Sequence, residues 1–375
     1  MNPTQDGSQG ADIAQQLRGV RHLKVCAEDG KFDGWPANSG LWAWGSELLV
    51  GFCLADHQEG TGGHTYAPGT ARQKFARSLD GGETWTIEDA FERGITAASQ
   101  DHAAGSRAAA PGDCPGRFDF TNPDFAMTFR RANDADGAAH FYVTTDRGHA
   151  WQGPYALPNL GNPGILARTD YLVEGRHTLL AMLTASKRNR QEGRVGCART
   201  HDGGSTWQWV SWVDEEPAGY AIMPATVRLA TGRLVCVVRR REGNRCWLAG
   251  YISEDNAQTW RCAADPVDDT GVAGSPSALV ALADGRLCLA YAVRSRGPES
   301  PSRICVRFSA DDGESWGEEI VVRGHDGANW DIGYPRMAQR PDGKLVVIYY
   351  YNHGWTQTPS YRYIAATIFH EGVKT

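Results

Sequence analysis

Apolar residues in this chain fall mainly at every second position over short runs. Examples are RQKFARS (72–78), AHFYVTT (139–145), GRVGCART (193–200), WLAGYIS (247–253) and RICVRFS (303–309). A period of two places successive side chains on opposite faces, so these runs predict strands. Each run leads into the same punctuation: SLDGGETW (78–85), TTDRGHAW (144–151), THDGGSTW (200–207), SEDNAQTW (253–260) and SADDGESW (309–316). The shared pattern is Ser/Thr-x-Asp-x-Gly-x-Thr/Ser-Trp, with Ala150 and Ala257 as departures. It predicts a stapled hairpin turn. The Asp carboxylate accepts turn amides, the Gly supplies a positive φ, and the Trp ring packs beneath the loop.

A second repeat reads strand, Gly turn, strand: MPATVRLATGRLVCVVRR from Met223, SPSALVALADGRLCLAYAVR from Ser275 and YPRMAQRPDGKLVVIYYYN from Tyr334. Equivalents begin at Trp35, Asn122 and Ala167, which makes six units against five staples. The sixth unit ends in RYIAATIF from Arg362 and lacks a staple. The N-terminal RHLKVCAE, from Arg21, is expected to supply its outermost strand and so protect an exposed sheet edge. The chain therefore reads as one all-β domain over 1–375. Residues 1–19 form a flexible N-terminus, and the Ala/Gly-rich stretch 96–119 is a long insert between the first two units, fit to cover a pocket or mediate assembly.

Composition agrees with many short strands and tight turns: Gly numbers 44 of 375, above the usual ~7%, and Trp numbers 13. An apolar content of 41% excludes disorder. A net charge of −6 argues against nucleic acid as a partner, since phosphate neutralisation needs a basic surface. No run of apolar residues is long enough to span a membrane. The start, MNPTQDGSQGADIAQQLRGV, does not read as a secretory signal, which gives a cytoplasmic expectation, or a periplasmic or secreted one if a leader was removed. Nine cysteines without a CxxC pair or a tight Cys/His cluster support neither zinc nor a disulfide framework, and no cofactor is expected. Cys236, Cys288 and Cys305 lie in apolar runs, as small core residues do.

The five staples resemble the Asp boxes, or BNR repeats, of the sialidase (neuraminidase) superfamily, over roughly residues 20 to 370. The resemblance implies a six-bladed β-propeller whose last blade is closed by the N-terminal strand. It also implies that the boxes are structural and lie away from the active site. In a propeller, the starts of the first strands and the ends of the second strands face a central pocket. The first group contains Trp35 to Asn38, Asn122 to Asp124, Arg168 to Tyr171, Met223, Ser275 to Ser277 and Asp331 to Arg336. The second contains His57, Lys187, Arg239 to Arg241, Arg294, Asn352 and His353.

Tyr334 matches the sialidase nucleophile, and Arg239 and Arg303 match two of its three carboxylate-binding arginines. Two matches fail. Gly34-Trp35-Pro36 stands where the first arginine motif belongs, and Met223 before Pro224 replaces the glutamate that activates the tyrosine. An unassisted phenol has a pKa near ~10 and is a poor nucleophile at neutral pH. Histidines in the loop after the first unit, His57 and His64, offer acid/base groups that titrate near neutrality. Related propeller enzymes without the arginine triad act as rhamnosidases or uronate lyases, so the resemblance implies either chemistry.

The expected catalytic residues are Tyr334, His64 and Asp124. The expected substrate-binding residues are His57, Arg168, Asp170, Arg239, Arg294, Arg303, Asp331, Arg336 and Trp35. Arg168 and Asp170 also read as a buried ion pair between units. The expectation is a glycoside hydrolase acting on a terminal acidic or deoxy sugar of an oligo- or polysaccharide. The alternatives are a polysaccharide lyase, a non-catalytic carbohydrate-binding propeller and a true exo-α-sialidase.

Overall fold

A computed structural model describes residues 17–59, 64–97, 109–132, 137–190, 192–297, 299–324, 326–327, 329–352 and 361–372. The all-β expectation holds: these residues form 24 strands and one four-residue helix, Pro36–Ser39. No helix among them is long and apolar enough to cross a membrane. Hydrogen bonding groups the strands into three four-stranded sheets, one three-stranded sheet and one nine-stranded sheet.

Each four-stranded sheet is an antiparallel meander. In one, Tyr220–Arg228 pairs with Leu234–Glu242, which pairs with Arg245–Ser253 and then Arg261–Cys262. The nine-stranded sheet joins two such units, one from Gly333–Gln339 onward and one from Lys31–Gly34 onward, through a single parallel bridge, Phe32 to Arg362. The first strand, Leu17–Cys26, runs antiparallel along Arg362–Glu371, from Leu17 opposite Glu371 to Cys26 opposite Ile364. The N-terminal sequence therefore does cover the edge of the last unit. Pairing starts earlier than expected, because Leu17 and Arg18, in the stretch read as flexible, find partners at the far end of that edge. Residues 1–16 and 98–108 of the insert lie outside the described residues.

Alternation along the second strand of each unit supplies apolar side chains to two layers at once. Cys236 and Val238 pack toward Met182 and Val195, whereas Val235 and Val237 pack toward Leu287 and Leu289 of the next sheet. This explains why LVCVV at 234–238 is uniformly apolar rather than alternating: both faces are buried. Cys236, Cys288 and Cys305 are fully buried.

The five staples have the geometry their residues dictate. In the first, Asp80 accepts from the Thr84 amide (2.9 Å) and hydroxyl (2.6 Å), Ser78 Oγ accepts from Gly82 N (2.7 Å), and Trp85 Nε1 donates to Gly82 O (2.9 Å). The fifth position is left-handed in every copy, at Gly82, Gly148, Gly204, Ala257 and Gly313. These turns sit at the ends of third strands, where Ser253 faces Leu234 and Thr144 faces Ala126.

That last pairing corrects one expectation. Asn122 to Asp124 precede a second strand, not a first one, so they lie at the staple end of their unit. Asp124 O accepts from Arg147 N within the second staple. The apolar run at 125–129 carries no mark of strand order, which only its partners reveal.

Candidate active site

At three places a non-glycine residue precedes proline with a positive φ: Trp35 (58°), Met223 (56°) and Tyr334 (52°). The left-handed region is unfavourable for side chains with a Cβ, so each position costs about 1–3 kcal/mol of strain that its surroundings must hold. Strand pairing slips at two of them, between Ile222 and Pro224 and between Gly333 and Arg336. A bulge turns a side chain out of the ladder and frees its amide. The Met223 amide donates instead to Thr184 Oγ1 (3.1 Å), and the Tyr334 amide donates to Ser275 Oγ (3.2 Å). Gly333 is required beside it, because a Cβ there would meet Ala292 Cβ and Ser275 Oγ at 2.7 Å.

The bulge at Tyr334 delivers its phenol to a cluster of guanidinium groups. Arg239 Nη1 donates to Tyr334 Oη (3.0 Å), and its Nη2 is anchored on Ala273 O (2.6 Å). Arg294 lies 5.4 Å from the centre of the Tyr334 ring, held by Ile332 O (2.9 Å) and Tyr350 Oη (2.7 Å). Arg168 is oriented by Asn38 Oδ1 (2.9 Å). Burial alone would raise the Tyr334 pKa, but the positive charges of Arg239, Arg294 and Arg168 together hold it below the ordinary tyrosine value. Met223 contributes only a thioether, 3.6 Å from Arg239 Nη1.

Beside this cluster stands a histidine–aspartate pair. His64 Nδ1 lies 2.8 Å from Asp331 Oδ1, and the imidazole is partly exposed whereas Asp331 is wholly buried. Asp331 also accepts from Tyr350 Oη (2.6 Å) and Arg362 Nε (3.1 Å). Burial opposes its charge, yet His64, Arg362 and Arg294 keep the carboxyl well below the usual range. The His64 ring packs edge-on against Trp35 (4.9 Å) and lies 6.0 Å from Trp330. Tyr350 joins the two groups, since its ring lies 5.9 Å from that of Tyr334.

The structure thus brings together Tyr334, His64, Trp35, Arg168, Arg239, Arg294 and Asp331. Asp124 is elsewhere, bound to Arg147 Nε (2.6 Å) at its staple. Arg303 pairs with Glu319 (2.7 Å) toward the outer strand of its unit. His57 is tucked against Tyr361, with burial lowering its pKa ahead of the opposing influence of Glu59. Asp170 and Arg336 lie further along the first strands, among the walls of a separate cavity. The Asp170 carboxyl is affected by Arg336 and not by Arg168, so the expected Arg168–Asp170 pair gives way to an Arg168–Asn38 bond. His353 lies outside the described residues.

Sequence reasoning passed over Arg362, Trp330 and Tyr350. The signal for Arg362 was its place at the start of a third strand, where an arginine in the otherwise apolar RYIAATIF needs a buried acid.

The model of the BNR repeat-like domain matches residues 125–347. No curated protein matches the sequence. Among solved structures, a protein of unknown function from Dyadobacter fermentans is 18% identical with a TM-score of 0.70, covering 94% of this chain and 100% of that one. A Trypanosoma rangeli sialidase, solved with sialic acid, is 12% identical with a TM-score of 0.59, covering 93% of this chain and 58% of that one. A Penicillium chrysogenum α-L-arabinanase is 14% identical with a TM-score of 0.56, covering 92% and 97%. At these identities the likeness is one of fold, shared with propeller glycosidases and in keeping with the sialidase-superfamily resemblance of the Asp boxes. Four of the five boxes fall within the matched span, and the chain belongs to the BNR repeat-like domain family.

Proposed function

We propose that this chain is a single six-bladed propeller that hydrolyses glycosides of an acidic sugar, with Tyr334 as nucleophile and His64 as acid/base. The ring reading rests on apolar layers that join each unit to the next. One of them joins the last unit to the first through Val346, Ile348 and Tyr350 against Leu48, Val50 and Phe52. Strand Leu17–Cys26 along the final unit then acts as the closing strand.

The observation that carries the chemistry is the phenol of Tyr334, bonded to Arg239 and faced by Arg294 and Arg168, next to a histidine seated on a buried aspartate. Three guanidinium groups do two things at once. They stabilise a phenolate without a neighbouring carboxylate, and they offer N–H groups to a sugar carboxylate. In this reading the Tyr334 oxygen attacks the anomeric carbon as the glycosidic C–O bond breaks, and His64 protonates the departing oxygen. His64 then takes a proton from the water that releases the sugar from Tyr334. Asp331 positions His64, and Trp35 supplies an aromatic wall. Asp124 and Arg303, held by Arg147 and Glu319, have no part in it.

Met223 favours a second reading. With a thioether where a base would stand, a Tyr334 phenolate can instead remove the proton next to a uronate carboxylate, and His64 can protonate the leaving oxygen. Several fold neighbours, the sialidase and the arabinanase among them, are glycoside hydrolases, which supports the first reading. A panel of acidic and neutral glycans with mass-spectrometric products separates the two. Hydrolysis adds water, whereas elimination leaves an unsaturated uronate absorbing in the near ultraviolet. Tyr334→Phe and His64→Ala are each expected to lower turnover at least ~100-fold, the scale of a lost acid/base group. Unchanged rates in both would move the site elsewhere, and binding without any product would make the chain a carbohydrate-binding propeller.

A further inference from the structure

The strands that carry Met223 and Tyr334 continue past them and, with the strand Leu41–Trp44 that follows Trp35, line a second space. It is a cavity of about 480 Å³, with walls that include Trp44, Phe120, Phe125 and Tyr171. Two charged side chains, Asp170 and Arg336, belong to its lining. Arg336 Nη2 donates to Ala37 O and Thr169 O, both at 2.5 Å, so its guanidinium ties the helix Pro36–Ser39 to the residues just before strand Tyr171–Val173, and the cavity's lining includes none of Tyr334, Arg239, Arg294, Arg168 and His64. Arg336 Nε has no hydrogen-bond partner, nor has Asp170 Oδ2; both atoms are covered in this conformation, while each residue keeps part of its surface open. Shielded polar groups without partners are costly, and a ligand that supplies the missing contacts repays that cost. One acceptor and one donor beneath aromatic walls match the adjacent hydroxyls and the C–H face of a sugar ring, and the volume suits one or two such rings.

We propose that this cavity is a second carbohydrate site, separate from the Tyr334 cluster, that takes a neutral sugar: ring stacked on the aromatic wall, hydroxyls read by Asp170 and Arg336. The ammonium of an amino sugar is disfavoured by Arg336, and a uronate carboxylate is disfavoured by Asp170.

The test is calorimetric titration of the intact chain with the methyl glycosides of xylose, arabinose, galactose and galacturonic acid, backed by saturation-transfer NMR. At least one neutral glycoside is expected to bind. Asp170→Asn and Trp44→Ala should each weaken that binding at least tenfold, whereas Tyr334→Phe should leave it within twofold. Asp170→Asn changes no volume, so it stands as the check if Trp44→Ala fails to fold. The proposal is overturned if no neutral glycoside binds, if the bound sugar is the acidic one, or if affinity follows Tyr334 and ignores Asp170. It does not depend on turnover. Loss of activity in Tyr334→Phe with neutral-sugar binding intact would support both sites, and an inactive wild type that still binds would remove only the hydrolase reading.

Discussion

Tyr334 shows how one residue's reactivity is set by neighbours far away in sequence. Burial by itself would make the phenol harder to ionise, and the cluster of Arg239, Arg294 and Arg168 reverses that. Arg239 is the partner in direct contact, at 3.0 Å. Arg239→Gln keeps a donor but removes the charge, so the phenol is expected to titrate higher. In the proposed mechanism the phenolate is the attacking form, so the rate at neutral pH should fall at least ~10-fold, for a shift of one pKa unit or more. The rate should partly recover as pH rises. A kcat/KM profile alongside an absorbance titration of the phenol checks this, and a uniform loss at every pH would assign Arg239 to substrate binding alone. Met223→Glu is the reciprocal change. It places a carboxylate beside Arg239, which withdraws positive charge from Tyr334 while adding a base. Higher activity at neutral pH would show that base assistance outweighs cation support.

Two elements are under local tension, and each can be tested by its own substitution. The Gly333 bulge holds Tyr334 out of the ladder. A Cβ at 333 would strike Ala292 and Ser275 at 2.7 Å, in a backbone conformation (φ 109°) that side chains rarely adopt. Gly333→Ala is expected to lower kcat strongly with the Tyr334 side chain intact, and to lower the melting temperature by several degrees.

The short strand Lys31–Gly34 buries Asp33 completely, with neither carboxylate oxygen hydrogen-bonded. Burial pushes this carboxyl up to about 8, with the neighbouring Cys26 a smaller opposing influence. The sign follows from linkage. Below the unfolded pKa near ~4 both states hold the proton. Between there and about 8 only the folded state does, so stability declines as pH rises through that window. Asp33→Asn is expected to melt higher than wild type at pH 8 by several degrees and to show no such gain at pH 4. Equal differences at both pH values would mean that Asp33 is not the titrating group.

For the molecule as a whole, the strand Leu17–Cys26 matters more than its sequence suggests. It lies along the final strand from Glu371 to Ile364, with His22 Nδ1 2.9 Å from Thr367 Oγ1. Removing it would expose a long edge of mostly buried, apolar residues, RYIAATIF, to pairing with other chains. A chain lacking residues 1–26 is expected to aggregate or to melt at least ~10 °C lower. Scattering during a thermal ramp distinguishes this from an unaltered fold. Retained stability would mean that the fold does not rely on this strand.

Much of the fold was legible because its signals are local. An Asp, a Gly and a Trp at set spacing make a turn from their own hydrogen bonds and φ preferences, so the five staples and the strands before them could be read directly. The N-terminal partner of the last unit was legible too, since five staples against six units leave one edge uncovered. Asp124 was misplaced because strand order within a unit depends on pairing partners, and an apolar run looks the same in either position.

At the site, Tyr334 was legible through its match to the sialidase nucleophile, and Trp35 and Met223 through the two matches that fail there. The roles of their neighbours were not. His64 and Asp331 are 267 residues apart, and Arg336 and Asp170 turn to a different cavity from Tyr334 two residues away. Turns and alternation are properties of a few consecutive residues, and sequence alone determines them. The charge around a phenol, the partner of a histidine and the cavity that an arginine lines depend on charge and distance between segments that meet only when the sheets pack. Tertiary structure decided those.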